Sequence, residues 1–203
     1  MAGILSNLRS AVITGFVLAI LLAILYMLMG GAFDGNYTRF LFRWLHVLSG
    51  VMWIGLLWYF NFVQIPLMPS IPDEQKPAVG KHIAPKALWW FRWGAMSTIV
   101  TGLILAMLNG YIVNVLTLGA VDGFAIRNHV LLGIGMWMGI IMWFNVWFVI
   151  WPNQQKALNI DNKYPDLAPE AKAAAGRTAM LFSRTNTVLS IPMLFAMVAA
   201  QNL

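Results

Sequence analysis

Hydrophobic residues fill five long stretches of this chain, and polar residues are concentrated in the segments between them. The five stretches cover residues 11–32, 40–65, 87–115, 129–151 and 180–200. Each reaches the roughly 20 residues that an α-helix needs to cross the hydrocarbon core of a bilayer. The period-2 alternation of a membrane β-barrel is absent. The pattern therefore predicts an all-α fold, a polytopic membrane helical bundle of about five transmembrane helices in a single integral membrane domain over residues 1–203.

Two of the five stretches carry nearly the same sequence. "LHVLSGVMWIGLLWYFN" begins at Leu45, and "NHVLLGIGMWMGIIMWFN" begins at Asn128. With one residue of slip, the matched positions include the pairs His46 and His129, Gly50 and Gly133, Trp53 and Trp137, and Asn61 and Asn145. The long loops that follow these stretches are also alike, because each begins with proline and carries mixed charge. We interpret the chain as one leading helix followed by two duplicated hairpins, residues 40–115 and 129–200.

Composition and charge support a membrane location. Hydrophobic residues make up 60% of the chain and charged residues 10%, whereas soluble domains carry about 25% charged residues. With the N-terminus in the cytoplasm, ten of the 13 Lys and Arg residues fall on the cytoplasmic side, as the positive-inside rule requires. We expect a multi-pass protein of the bacterial inner membrane with its N-terminus cytoplasmic and its C-terminus periplasmic. The cations form no coherent basic face, which argues against nucleic acid as a partner.

The absence of cysteine limits the redox cofactors that the chain can hold. Without thiols it has no ligands for an iron–sulfur cluster and no attachment site for c-type haem. Histidine is then the leading ligand for a metal. Paired histidines on facing helices hold b-type haem in helical bundles, and we expect His46 and His129 to lie at comparable depth near the outer ends of their helices. The sequence predicts these two residues as axial ligands of haem b iron.

The neighbours of the two histidines complete this predicted cofactor site. Gly50 and Gly133 lie one turn along from the histidines and leave room for a flat ligand or for a closely packed helix. Trp53 and Trp137 are expected to line a cofactor or substrate cavity, or to pack between the repeats. Three alternatives stay open: histidines that only bond neighbouring helices, a copper or other metal site, and a methionine thioether ligand. Asn61 and Asn145 are expected to bond across helices.

Three other basic residues are candidates for surface or binding roles. Arg92 and Arg184 lie just inside the predicted cytoplasmic ends of their helices, where an arginine either extends to the lipid headgroups or clamps an anionic group. His82 is expected to be a solvated loop residue. All seven acidic residues lie outside the helix cores, which disfavours a proton relay built on carboxylates within the membrane.

Several segments resemble one known family. They are "RWLHVLSGVMWIGLLWYFNFV", "ALWWFRWGAMSTIVTGLIL", "FNVWFVIWPNQQKAL" and "RTNTVLSIPMLFAMVAAQN". Together they are similar to the membrane domain of bacterial cytochrome-c-linked urate oxidase, the urate oxidase N-terminal domain, over about residues 40–202. His46 with Trp53 and Gly55 also resembles the histidine-bearing helix of small haem-binding membrane proteins of the CopD-like and HemJ-like families. The urate oxidases are longer, with about eight spans and a C-terminal cytochrome c domain, so the resemblance implies a short stand-alone member without that domain.

Three functional hypotheses follow from these observations. The first is a haem-b-binding electron-transfer protein, or a subunit of a membrane redox complex such as a respiratory complex. The second is a cofactor-free accessory subunit of a larger membrane complex. The third is an oxidase of urate or a similar small molecule that passes electrons to a separate cytochrome c. The expected partners are the lipid bilayer together with other membrane subunits or a cytochrome c.

Overall fold

The computed structural model describes residues 2–203, and the regular secondary structure of these residues is entirely helical. Five helices are long and apolar enough to cross a membrane: α1 (Leu8–Leu28), α2 (Gly35–Ser70), α3 (Lys76–Leu108), α4 (Arg127–Leu158) and α5 (Pro169–Asn202). Shorter elements are the α-helices Ala2–Leu5 and Ile112–Leu116 and the 3-10 turns Ala120–Asp122 and Ile160–Asn162. The predicted all-α bundle of five apolar helices is confirmed, and these helices indicate a membrane protein.

The helix ends differ from the predicted spans where glycine ends a helix early. The third span was expected to run to residue 115, but α3 ends at Leu108. Gly110 has φ +77°, a left-handed conformation that commonly follows a helix end, and the next residues form the separate helix Ile112–Leu116. In contrast, α5 begins at Pro169, eleven residues before the predicted span, as expected from the helix-start residues there.

The chain divides into two compact units, and the first ends at Leu41. Within this unit, α1 is apolar on all sides and none of its residues is buried against protein, which suits a helix surrounded by lipid. The carboxylate of Asp34 accepts a hydrogen bond from the backbone N–H of Tyr37 at 2.9 Å. This bond caps the start of α2 and lowers the pKa of Asp34.

The second unit runs from Phe42 to Leu203 and contains the rest of α2 together with α3, α4 and α5. Its core consists of large apolar side chains from α2, α3 and α4, with Trp53, Leu57, Phe91, Met142 and Val146 each at most 1% exposed. The prediction of one domain for the whole chain stays a prediction.

Three helices of the second unit contain a π-helical segment just before a proline. The segments are Phe60–Gln64 in α2, Val79–Ile83 in α3 and Asn145–Ile150 in α4. In each case proline follows two residues after the segment, at positions 66, 85 and 152. A proline within a helix lacks an N–H donor and clashes with the carbonyl group four residues earlier. The wider π turn accommodates this clash and leaves each helix continuous.

A row of small polar residues on α5 joins that helix to α2 and α4. Asn61 donates to Ser183 at 2.8 Å, and Asn145 donates to Asn186 at 2.8 Å. Asn186 in turn donates to the Met142 carbonyl oxygen at 2.9 Å. The expectation that Asn61 and Asn145 bond across helices is confirmed. Both bonds start from π-helical segments, so these polar contacts fix the position of α5 against the two irregular helices.

Replacing Asn186 with alanine is expected to destabilise the bundle by about 1–3 kcal/mol, because Asn145 and the Met142 carbonyl oxygen both lose a buried partner. The measurement is the thermal unfolding midpoint of the purified protein in detergent. Thr185→Ala is the matched control, because the exposed Thr185 hydroxyl, one residue before Asn186, donates to its own helix at the Leu181 carbonyl oxygen. Equal midpoints for the two variants would contradict this account of α5 packing.

Candidate functional site

A cavity of about 610 Å³ lies in the second unit between α2, α3, α4 and α5. Its walls are mainly apolar, as is typical of cofactor and ligand cavities of this size. The polar side chains that line it, tryptophan aside, are Arg43, His46, Thr98, Tyr111, Gln201 and Asn202. Tyr111, Gln201 and Asn202 lie where α3 and α5 end, and Arg43 lies about one turn from His46 toward the start of α2. One end of the cavity therefore carries most of its polar groups, and the rest of the cavity is apolar.

His46 lines this cavity and has a fixed orientation. Its Nδ1 lies 2.9 Å from the backbone carbonyl oxygen of Thr98. A carbonyl oxygen can only accept, so in the neutral ring Nδ1 carries the proton and Nε2 keeps a free lone pair. The ring also packs against Gly102, where a Cβ atom would come within 2.8 Å of the His46 Cε1. Glycine at this position is therefore required for the observed placement of the imidazole.

Trp53 and Gly50 line the same cavity as His46. The Trp53 side chain is 1% exposed, and its Nε1 donor has no hydrogen-bond partner among residues 2–203. Buried donors are almost always paired, so an unpaired indole N–H that lines a cavity indicates room for a ligand with an acceptor group. The three predicted site residues on α2, His46, Gly50 and Trp53, thus line the same cavity.

The matching residues on α4 face a different part of the protein. His129, Gly133 and Trp137 are not among the residues that line the cavity. A Cβ atom on Gly133 would lie 2.4 Å from the Val115 carbonyl oxygen, and the Trp137 indole donates to the Leu116 carbonyl oxygen at 3.0 Å. Gly133 serves the close packing of a neighbouring helix and leaves no space for a ligand. The six predicted site residues do not line one common cavity.

The expectation that the two histidines lie at comparable depth in the membrane stays a prediction, but their positions along their own helices differ. His46 lies about three turns after Gly35, the first residue of α2. His129 lies in the first turn of α4, which begins at Arg127.

His129 has its own polar surroundings in the segment between α3 and α4. Its Nδ1 lies 2.6 Å from a carboxylate oxygen of Asp122, and the other oxygen of Asp122 accepts from the Asn114 amide at 2.6 Å. These two contacts, that of His129 being the larger, lower the pKa of Asp122. The Tyr111 ring lies 5.8 Å from the His129 ring, and Tyr111 also lines the cavity. Tyr111 is therefore a neighbour of both His129 and the cavity.

Several residues of this region could not be recognised as site residues from the sequence alone. Thr98 acts through its backbone, and Gly102 matters only because a distant histidine packs on it. Asp122 lies seven residues before His129, and no periodic pattern connects the two. Arg43 is the exception, because it precedes His46 by three residues and so shares its helix face. Burial raises the pKa of the Tyr111 hydroxyl, with a smaller opposite effect from the charge of Arg43.

The cavity offers few ligands for a metal. In the described part of the chain, no group of three or more His, Cys, Asp or Glu residues could hold a metal ion. The cavity-lining side chains with donor atoms suited to iron are His46 through its Nε2, Met136, Met193 and Met197 through their thioethers, and Tyr111 through its hydroxyl. This donor set suits an iron that already has four macrocycle ligands and needs only axial ones.

The other three basic residues considered in the sequence, Arg92, Arg184 and His82, have different surroundings. The Arg92 guanidinium stacks on the rings of Trp147 and Trp151, whereas the Arg184 side chain is exposed on α5. His82 is exposed near the start of α3 and lines a shallow recess.

Comparison with known proteins gives one match. The family model described as urate oxidase N-terminal matches residues 103–202, which are 100 of the 203 residues. The matched region begins in the last turns of α3 and includes nearly all of α5, and it contains His129 but not His46. No curated protein and no solved structure shows a significant match to this chain. Over residues 103–202, slightly less than half of its length, the chain is similar to the urate oxidase N-terminal family.

Proposed function

We propose that this protein is an integral membrane electron-transfer protein that holds haem b in the cavity lined by His46. One observation carries the proposal: the His46 Nδ1 donates to the Thr98 carbonyl oxygen and leaves Nε2 free at the cavity. Histidines that bind a metal almost always donate their other ring N–H to a carbonyl or carboxylate oxygen, which fixes the ring and raises its basicity. The hydrogen bond from His46 to Thr98 gives His46 this same arrangement.

The cavity also suits the amphipathic character of haem. Its apolar walls match the macrocycle, and Gly50 and Gly139 leave wall positions without side chains. Arg43, Tyr111, Gln201 and Asn202 at the polar end can bind the two propionates, since a guanidinium pairs well with a carboxylate. When bound, haem b supplies a reversible one-electron couple. The residues of the chain would hold the His46 imidazole in place, exclude water from the apolar part of the cavity and pair with the negatively charged propionates.

Two kinds of side chain are candidates for a second protein ligand to the iron. The sequence predicts His129, and its Nδ1 is held by Asp122 in the arrangement typical of a metal ligand. The Tyr111 ring, however, lies beside His129, and Tyr111 lines the cavity whereas His129 does not. Met136, Met193 and Met197 line the cavity directly, so a thioether is the competing ligand. The two possibilities differ in reduction potential, because methionine ligation raises it.

Orientation and partners complete the proposal. The Lys and Arg count favours the bacterial inner membrane with a cytoplasmic N-terminus, which places the polar end of the cavity on the periplasmic side. A cytochrome c or another membrane subunit is then the expected electron partner on that side.

The His46→Ala variant is expected to lose most of the haem absorbance of the purified protein, because the iron loses its fixed ligand. The measurement is the reduced-minus-oxidised visible spectrum per mole of protein. His82→Ala is the control, since His82 is exposed and lies away from the cavity. His129→Ala tests the second ligand: a changed spectrum assigns His129, and an unchanged one assigns a cavity methionine. A haem spectrum that survives in His46→Ala would contradict the proposed site.

Gly102→Ala is expected to weaken haem retention on the order of tenfold, the effect typical when a ligand loses its supporting contact. The added methyl group would lie 2.8 Å from His46 Cε1 and push the ring away from Thr98. Transfer of haem to excess apomyoglobin measures the retention. Gly176→Ala is the control, because the nearest atom to its Cβ is the Ala157 Cβ at 3.6 Å. If both variants retain haem equally, the Gly102 packing plays no part in binding.

The similarity to the urate oxidase N-terminal family favours a second candidate function, oxidation of urate or a similar small molecule. This candidate predicts that urate reduces added cytochrome c in the presence of the haem-loaded protein, and that His46→Ala abolishes the reaction. Stopped-flow absorbance of cytochrome c is the measurement. Absence of urate-dependent reduction in a haem-loaded sample would remove this candidate and leave the electron-transfer proposal intact.

A further inference from the structure

Arg92 on α3 is a cation that forms no salt bridge within residues 2–203. No carboxylate among residues 2–203 lies within salt-bridge distance of it. Its Nε is buried and has no hydrogen-bond acceptor in the described chain. A guanidinium has five N–H donors, and an uncompensated charge within an apolar helix is costly. The N–H donors of the Arg92 side chain are therefore available to an acceptor from outside the protein.

Two tryptophan rings hold the Arg92 guanidinium in place. Its central carbon lies 3.9 Å from the ring centroid of Trp151 and 5.0 Å from that of Trp147. Cation–π contacts at these distances stabilise the charge without using any N–H donor. The planar fork is thus oriented in advance, and such a fork matches the geometry of a phosphate or carboxylate with two parallel hydrogen bonds.

A continuous set of tryptophan rings connects Arg92 to an open recess at the start of α3. Trp147 lies 5.4 Å from Trp93, and Trp93 lies 6.3 Å from Trp89. Trp89 and its neighbour Trp90 line the recess, which has a volume of about 420 Å³ and also contains His82, Pro85 and Lys86. Trp89, Trp90 and Trp93 are 43–46% exposed. Exposed tryptophans beside a cationic side chain near a helix end are typical of the interface between lipid tails and headgroups.

We propose that Arg92, together with this tryptophan surface and Lys86, binds the phosphate of an anionic phospholipid on the side of the bundle where α3 begins. The apolar rings accept the upper part of the acyl chains, and the guanidinium binds the phosphate. Arg184 provides the contrast, because its exposed side chain has neither aromatic contact nor buried donor in the part of the chain that the structure describes. The site lies apart from the cavity lined by His46, since none of its residues lines that cavity, and it does not depend on haem.

Native mass spectrometry of the full chain tests this proposal, with mixed micelles that contain equal amounts of phosphatidylglycerol and phosphatidylcholine. The wild-type protein is expected to retain phosphatidylglycerol in preference to phosphatidylcholine. Arg92→Gln should reduce that preference roughly tenfold, the change expected when one charge-assisted hydrogen-bonded contact is lost. Arg184→Gln removes the same charge from an exposed position and should keep the wild-type preference.

Arg92→Lys keeps the charge but removes the planar fork, so it should show a preference between those of the wild type and Arg92→Gln. It also carries the test if Arg92→Gln does not fold, as judged by its thermal unfolding. A wild-type preference in Arg92→Gln or in Arg92→Lys would overturn the proposal. Displacement of the lipid by millimolar inorganic phosphate would also overturn it, because the site would then serve a free oxyanion.

Discussion

The constraint on which this structure depends is that polar groups inside an apolar bundle must find partners within the chain. Water is absent from the hydrocarbon region, and an unpaired buried polar group costs several kcal/mol there. Helical backbone satisfies most of the main-chain groups, and the row of Ser183, Asn186 and Ser190 on α5 satisfies the side chains that face it. The π-helical segments follow from the same constraint, because they keep a helix continuous ahead of a proline.

Six buried side-chain polar atoms of residues 2–203 have no hydrogen-bond partner, and those of Trp53 and Arg92 lie at the two sites of interest. Trp53 has an unpaired N–H at the cavity, and Arg92 has an unpaired Nε between two tryptophan rings. His46 is paired at one nitrogen only, which is what a metal ligand requires. The two regions lie on opposite parts of α3, since Thr98 and Gly102 support His46 while Arg92 lies closer to the helix start. One helix thus contributes to both of the proposed binding surfaces.

Much of the fold was accessible from the sequence, because long apolar stretches leave few alternatives to membrane helices. The cross-helix role of Asn61 and Asn145 also followed from their apolar surroundings. The different surroundings of the two histidine-bearing helices could not be predicted from the sequence. Nearly identical segments meet different neighbours: His46 packs on Gly102 of α3, whereas His129 packs on Asp122 and the turns after α3. Similarity between two segments describes the segments alone and not the neighbours that each one meets. Those neighbours depend on where α3 ends, and α3 ends just before Gly110, which has a left-handed backbone conformation.

The measurement that tests the central claim most directly is the haem content of the purified wild-type protein, determined as the pyridine haemochrome against protein concentration. The account predicts haem b close to one equivalent per chain after expression with adequate haem supply. A protein that is folded and monodisperse but contains no haem b, and that does not take it up when haem is added, would contradict the account. The cavity beside His46 would then belong to a cofactor-free subunit of a larger membrane complex.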